Sequence, residues 1–334
     1  MATLADIAKR AEVSTGTVSR VLNNKMHMPI SQPTIERIRR AADELGYRPN
    51  ALARALATGK THSIGLYYRS LTEAMFLRIL EAVEAKARLR GYRLIVSSDT
   101  DSFAAGSSID GLIYIAPSDE PPDRLPLGGK PVAYVTASLE DGTRADVVTW
   151  SEYDGAVLAV EHLVGLGHRR IGALWGAYAD RDPLPTRVLG FRAALRAAAG
   201  ATGVEEFGEE DPDQVRRGYL QMRRLLARPE AAGMTAVFAR NDYAAMGALQ
   251  ALHEAGIKVP AAMSVIHYGD SVLSRAAYPP LTSVSHPNAE ASVLALEQLI
   301  ERIEDRAESF PSVRLPVTLV ERASCAPVPR PKEA

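Results

Sequence analysis

Only one of the 334 residues is a cysteine, Cys325, and only 6% are aromatic. A lone thiol excludes an intramolecular disulfide and any cysteine-based zinc cluster. No apolar run approaches the roughly 18 residues that a spanning helix needs. No apolar N-terminal segment reads as a secretory signal. The chain is therefore expected to be soluble and cytoplasmic, with no membrane partner. Catalytic signatures are also lacking: no zinc-protease motif, no phosphate loop, no dinucleotide fingerprint after a strand, and no nucleophile–histidine–acid pattern. Gly128-Gly129 is a turn, and Gly167-His168-Arg169-Arg170 is a turn entering a strand. An enzyme is not expected, and neither is a metal or cofactor.

Charge of one sign is missing only on average. The net charge is −1, but the first sixty residues hold ten Lys/Arg against five Asp/Glu. That stretch carries +5. The rest, with 29 against 35, carries −6. A basic module on an acidic body concentrates attraction for phosphate in one place.

The basic stretch has a legible local structure. Leu4, Ile7, Ala8 and Ala11 have the i, i+3, i+4, i+7 spacing of a short amphipathic helix. Glu12-Val13-Ser14 is a turn, and Ser14 is a good N-cap. A second helix over 15–23 buries Val18, Val21 and Leu22 and leaves a small polar face with one arginine, Arg20. Two short helices around a tight turn make a helix-turn-helix, whose second helix suits the major groove. A third helix is expected over about 32–45, with Ser31 at its start and Ile35, Ile38, Ala42 and Leu45 on one side.

These residues resemble the lactose/galactose repressor (LacI/GalR) family of bacterial transcription regulators. The likeness rests on Thr3-Leu4-Ala5-Asp6-Ile7-Ala8, Val13-Ser14, Thr17-Val18-Ser19-Arg20-Val21-Leu22-Asn23, and the run from Leu45 to Arg54. It implies base reading by Thr15, Gly16 and Arg20, and phosphate proximity for Thr17, Asn23, Ser31, Thr34 and Tyr47. Gly16 departs from the pattern by offering no side chain. The loop 24–30 is about two residues longer than the family's. Residues 49–60 resemble the family's hinge helix, capped by Asn50. Leu52 would meet its mate in a dimer, and Leu56 would wedge into the minor groove. An Ala-rich linker helix fits the same residues. So short a helix is marginal alone in water.

From Ser63 onward short apolar runs alternate with helical stretches, the pattern of parallel sheets with helices on both faces. Two such series imply two doubly wound lobes, with a ligand cleft at the carboxyl ends of the strands. The fold class expected is α/β: a small all-helical head plus a two-lobed, periplasmic-binding-protein-like effector domain. The boundaries expected are 1–48 for the head, 49–60 for the hinge and 61–330 for the body. Within the body, one lobe takes about 61–151 and 287–316, and the other about 152–286 and 317–330. The connection 99–108 is too short for a full helix, which would leave one patch of the first sheet thinly covered. The tail 326–334 is expected to be disordered.

The resemblance extends through the body, at Glu161-His162-Leu163, Arg187, Asn241-Asp242 and Pro279-Pro280-Leu281-Thr282. It implies ligand contacts at Arg187, Asn241 and Asp270. Glu73, Phe76, Trp150, Glu152 and Asp154 fall at strand ends, where cleft residues would sit. Trp150 either stacks on a sugar ring or is an ordinary core aromatic, and Arg187 either holds ligand or bridges the lobes. Gly269 stands where the family has an acid, and Arg240 stands where it has a small residue. Both changes make the cleft more positive, so an anionic sugar derivative is expected, with a neutral sugar as the next alternative and a purine or no ligand after it. The function expected is a ligand-responsive repressor of a carbohydrate-related operon, binding a palindromic operator DNA as a homodimer. The alternative is a solute-binding module with no role at DNA.

Overall fold

The computed structural model describes residues 2–22, 30–47, 59–71, 73–104, 108–115, 125, 127–136, 145–176, 185–209, 211–307 and 309–328. Asn23, Asn50, Leu52 and Leu56, and with them the hinge reading, lie outside the described residues. The chain divides into two compact units, residues 1–61 and 62–334.

The first unit contains α1 (Leu4–Ala11), α2 (Thr15–Leu22) and α3 (Gln32–Glu44). Thr3 and Asp6 form a reciprocal capping box at the start of α1. Glu12 ends that helix in the left-handed region, at φ 53°. Ser14 Oγ then accepts from Thr17 N–H at 3.1 Å, which starts α2. Ile7, Ala11, Val18, Val21, Ile35 and Ile38 close a small core. Arg37 Nε donates to the Ala11 carbonyl at 2.9 Å and ties α3 to the turn. Two expectations change here. Ala41 packs in the core while Leu45 is 38% exposed. Ser31 occupies the N-cap position of α3, but its hydroxyl bonds the Thr34 hydroxyl at 2.8 Å instead of capping a backbone N–H.

The second unit holds two six-stranded sheets. The chain first lays down β1 (Ser63–Tyr68), α4 (Ala74–Leu89), β2 (Arg93–Ser97), β3 (Gly111–Ile115), β4 (Val132–Thr136) and β5 (Asp146–Thr149). It then enters the second lobe with α5 (Glu152–Gly165), β6 (Arg170–Leu174), α6 (Thr186–Ala197), β7 (Thr202–Glu206), α7 (Gln214–Ala227), β8 (Ala236–Ala239), α8 (Asp242–Glu254), β9 (Ser264–Tyr268), α9 (Val272–Ala276) and β10 (Thr282–Ser285). It returns to the first lobe for α10 (Asn288–Ile303) and β11 (Ser312–Arg314), and ends in the second at β12 (Thr318–Val320).

The strand orders are β11-β5-β4-β3-β1-β2 and β12-β10-β9-β8-β6-β7. Every pairing is parallel except β10 with β12. Three passages between the sheets, at 150–151, 286–287 and 315–317, form the back of the cleft. The central strands are buried on both faces, so they read as continuous apolar runs. In the first lobe Ile64, Leu66, Ile113 and Val135 pack against Ile79 and Val83 of α4 and Leu296 and Leu299 of α10. In the second lobe separate cores lie on the two faces of the sheet, around Met222 and Leu252 on one and Leu163 and Phe191 on the other.

The short connection after β2 does not leave the sheet bare. A 3-10 turn over Thr100–Phe103 drives Phe103 to full burial against Ile109, Leu112, Tyr114 and Leu127. Tyr67 and Tyr114 stack beside it with centroids 4.5 Å apart. One large ring thus covers sheet that a helix would otherwise cover. The start of the tail is also held: Val328 N–H donates to the Leu166 carbonyl at 3.0 Å, and the Ala326 carbonyl accepts from His168 or Ser264 groups.

Candidate functional site

Two surfaces carry the chemistry, one in each unit. In the head, Val18 and Val21 turn inward, which leaves Thr15 and Gly16 exposed on the outer face of α2. Thr17 and Arg20 are half-buried on its flanks. Arg20 Nε donates to the Gly16 carbonyl one turn back, at 3.2 Å. A Cβ added at Gly16 would meet nothing nearer than Ser14 Oγ at 3.8 Å. The fold does not require glycine there, although glycine costs a helix about 1 kcal/mol relative to alanine. Ser31, Thr34 and Tyr47 also lie at the surface of this unit, wholly or in part.

In the body, a cavity of about 360 Å³ opens between the lobes. The first lobe lines it with Tyr68, Arg69, Ser70, Glu73, Ala74, Met75 and Ile115. The passages between lobes contribute Trp150 and His286, and the second lobe contributes Glu152, Trp175, Arg187, Gln214, Arg240, Asn241, Asp242, Tyr243, Tyr268 and Gly269 among others. The lobes are bridged at its edge. The Ala74 N–H donates to the Tyr243 hydroxyl at 3.0 Å, and Arg78 Nη1 donates to the Asp270 carbonyl at 3.2 Å.

Arg187 is fixed from three sides. Nη2 pairs with Glu152 Oε1 at 2.6 Å, Nη1 donates to the Arg240 carbonyl at 2.5 Å, and the guanidinium lies 3.9 Å over the Tyr268 ring. Tyr268 is set in turn by Gly155. A Cβ at residue 155 would come 2.5 Å from the ring, so α5 can rest on Tyr268 only with glycine there. Arg240 Nη2 and Asn241 Nδ2 both donate to Gln214 Oε1, at 3.0 and 2.9 Å. Asn241 Oδ1 is used to cap α8 through Ala244 N–H.

The inner wall is aromatic with polar tips. Trp150 and His286 have ring centroids 5.3 Å apart, and Tyr268 and His286 5.0 Å apart. His286 Nδ1 and Asn288 Oδ1 are buried without a hydrogen-bond partner among the described residues, whereas Trp150 Nε1 and Tyr268 OH are turned to each other. Buried polar groups are normally satisfied, and His286 and Asn288, whose Nδ1 and Oδ1 are not, both line the cavity. Burial pushes His286 down to about 3, with Arg187 adding to the effect, so this ring is neutral. Burial also raises the Tyr268 phenol well above its ordinary value, and Glu152 adds to that shift.

The cavity therefore brings together Glu73, Trp150, Glu152, Arg187, Arg240 and Asn241 of the residues expected from sequence. Three others are elsewhere. Phe76 points from the first turn of α4 into the sheet and stacks on Tyr68 in the core. Asp154 is exposed on the outer side of α5. Asp270 is buried against Arg322 Nη2 at 2.6 Å and the Ser283 hydroxyl at 3.1 Å, a structural pair. Sequence reasoning leaves Tyr243, Gln214, Tyr268 and His286 unassigned. Nothing in their immediate neighbours marks them, since long chain separations bring them into the cleft.

Comparison with known proteins decides what these surfaces belong to. Residues 3–50 match the lacI family of bacterial regulatory proteins, and residues 160–325 match a periplasmic binding protein-like domain. The HTH-type transcriptional repressor PurR of Pectobacterium carotovorum is 34% identical across 98% of this chain and 98% of the relative. The chain belongs to the LacI family. The ribose operon repressor of Escherichia coli K12 is another relative, 32% identical across 97% of this chain and all of that protein. The crystal structure of the Lac repressor dimer bound to operator and the anti-inducer ONPF superposes with a TM-score of 0.78 at 28% identity, covering 97% of this chain and 99% of that one. A LacI family regulator from Enterococcus faecium with bound ribose superposes with a TM-score of 0.69 at 25% identity, covering 80% and 100%. As a LacI family member the protein is a ligand-responsive, DNA-binding transcription regulator and not an enzyme. Among the described residues no helix is long and apolar enough to cross a membrane.

Proposed function

We propose that this LacI family regulator is a cytoplasmic repressor that binds a palindromic operator as a homodimer and responds to a small polyhydroxy effector in the interlobe cleft. The cleft supports the effector reading: a bounded cavity with buried, unpartnered polar atoms and an arginine held in place by Glu152 and Tyr268. The head supports the DNA reading. Thr15 and Gly16 are exposed on one helix with Arg20 on its flank, which suits base contacts, and Thr17, Ser31, Thr34 and Tyr47 lie wholly or partly at the surface, which suits phosphate contacts.

An uncharged effector fits the cleft better than the anionic one expected from sequence. Arg187 is already paired with Glu152, and Arg240 is turned to Gln214. Glu73, Glu152 and Asp242 stand in the lining against Arg69, Arg187 and Arg240. The extra positive charge is thus balanced within the site. Relatives and structural neighbours named for ribose are consistent with a neutral sugar.

Exposed apolar side chains support self-association. Leu77 and Leu89 on α4 are 64% and 82% exposed, and Tyr278 just after α9 is 95% exposed. Contiguous exposed apolar groups mark interaction surfaces, and Leu77 and Leu89 lie on one helix. A second copy of the chain, docked here, would bury them.

Arg187→Ala tests the effector reading. Ligand coupling of about 1–3 kcal/mol corresponds to a 5–150-fold change in operator affinity. The substitution should abolish that change while the unliganded protein still shifts operator DNA in a gel. A response to neutral pentoses or hexoses that persists undiminished in Arg187→Ala would count against the cleft as the effector site.

A further inference from the structure

A carboxylate that the sequence does not single out as a ligand group lies on the cleft floor. Asp242 opens α8, lines the cavity, and is 4% exposed. Its Oδ1 accepts three hydrogen bonds: from Ser271 N–H at 3.0 Å, the Ser271 hydroxyl at 2.6 Å and the Ser274 hydroxyl at 2.8 Å. No described residue donates to Oδ2. Burial works against its ionisation, but His267 and the serine donors more than offset this and hold its pKa below the ordinary value. It is a carboxylate at neutral pH.

Behind it, Ser274 Oγ lies 3.1 Å from His267 Nε2. The serine proton is directed to Asp242, so the hydroxyl accepts from His267 Nε2–H. Burial holds the pKa of the imidazole below its ordinary value, so the ring is neutral at neutral pH, and its Nδ1 is buried.

Gly269 connects these atoms to the cavity it lines. Its φ of +142° is a conformation that favours glycine. A Cβ at residue 269 would collide with Asp242 Oδ2, and would sit 3.4 Å from His267 Nδ1. Glycine here leaves the space next to the backbone to a carboxylate oxygen from the neighbouring helix. An anionic oxygen at the cavity wall, with no donor from the described residues, is open to a donor from a ligand.

We infer that Asp242 Oδ2, reached over Gly269, is an effector-binding acceptor that takes a hydroxyl or amino donor of the effector. A phosphate or carboxylate placed there would meet a like charge and is excluded from this end of the cleft. The inference rests on the reading of the cleft as the effector site.

The test uses the full chain, with D-ribose, a panel of other neutral pentoses and hexoses, and the phosphate of each as probes. Thermal shift titrations give their affinities, and circular dichroism checks the fold of each variant. A neutral probe should bind the wild type, and Asp242→Asn should weaken it at least tenfold. Asparagine keeps an oxygen for Ser271 and Ser274 but turns a donor toward the cavity. One monodeoxy analogue of that probe should bind the wild type as weakly as the parent sugar binds Asp242→Asn, and should lose nothing more in the variant. A purely structural role for Asp242 would weaken all analogues alike. Gly269→Ser sets a side chain against Asp242 Oδ2, leaves residue 242 an aspartate, and should show the same loss by blocking that oxygen, which keeps the test open if Asp242→Asn misfolds. Equal binding by wild type and both variants, or stabilisation by the phosphates alone, overturns the inference. If neutral probes bind, Arg187→Ala abolishes binding and Asp242→Asn does not, the cleft reading stands and only the role of Asp242 falls. If no neutral probe binds the wild type, the cleft reading fails and this inference fails with it.

Discussion

Replacing Arg20 by alanine should cut specific operator affinity by roughly 30-fold to 2.5 × 10⁴-fold, because each of two half-sites loses a base contact of about 1–3 kcal/mol. Arg20 is the one basic side chain of α2, and it lies on the flank of the face that presents Thr15 and Gly16. A guanidinium presents paired donors to the O6 and N7 edge of guanine. Its hydrogen bond to the Gly16 carbonyl is within its own helix and keeps the side chain along that face. The loss should fall on one base pair of each half-site. Competition binding with operators altered at every position measures this. Equal weakening on specific and random DNA would reduce Arg20 to a phosphate contact.

Arg302→Ala should destabilise the body by about 3–5 kcal/mol, the usual cost of leaving one partner of a buried ion pair uncompensated. Asp146 is 1% exposed and accepts from Arg302 Nε and Nη2, both at 2.7 Å. Arg302 comes from the last turn of α10, and also lies 3.8 Å over the Phe310 ring. The pair fastens the returning helix to the start of β5, the strand that leads to Trp150 in the cleft. Urea unfolding followed by circular dichroism should show the loss for Arg302→Ala. The double replacement Asp146→Asn with Arg302→Met should recover much of it, because no charge is then stranded. A midpoint for Arg302→Ala within error of wild type would mean that water or another group satisfies Asp146.

The head and the cleft were legible in the sequence to different degrees. Local signals suffice for the head. Ile7, Ala11, Val18 and Val21 specify two helices by spacing, and Thr3, Asp6 and Ser14 mark their starts. The central strands were legible as apolar runs. The edge strand β2 was also legible, at Leu94-Ile95-Val96, but β7 and β11 were not, since they bury little and carry charge or hydroxyl groups. The helix Asn288–Ile303 does carry a clear period in Ala291, Ala295, Leu296, Leu299 and Ile300. Within the cleft, strand-end position identified Glu73 and Trp150 but misplaced Phe76 and Asp154. A helical turn rotates neighbouring side chains about 100° apart, so position along the chain does not say which one faces the cavity. The charge balance was legible least of all. Arg187 meets Glu152 across 35 residues and Arg240 meets Gln214 across 26, and neither pairing leaves a local trace. The substitution at Gly269 is a further case. Read alone it removes an acid, whereas in the fold it makes room for one from Asp242.

The proposed regulator is a dimer that reads an inverted repeat and responds to an effector in its cleft. Selection of binding sites from random duplex DNA by the full-length protein, with the mass of the selected complex measured in the same sample, tests it most directly. A palindromic site with two matching half-sites and two chains per duplex is expected. A site without inverted symmetry, or a complex with one chain per duplex, would contradict it.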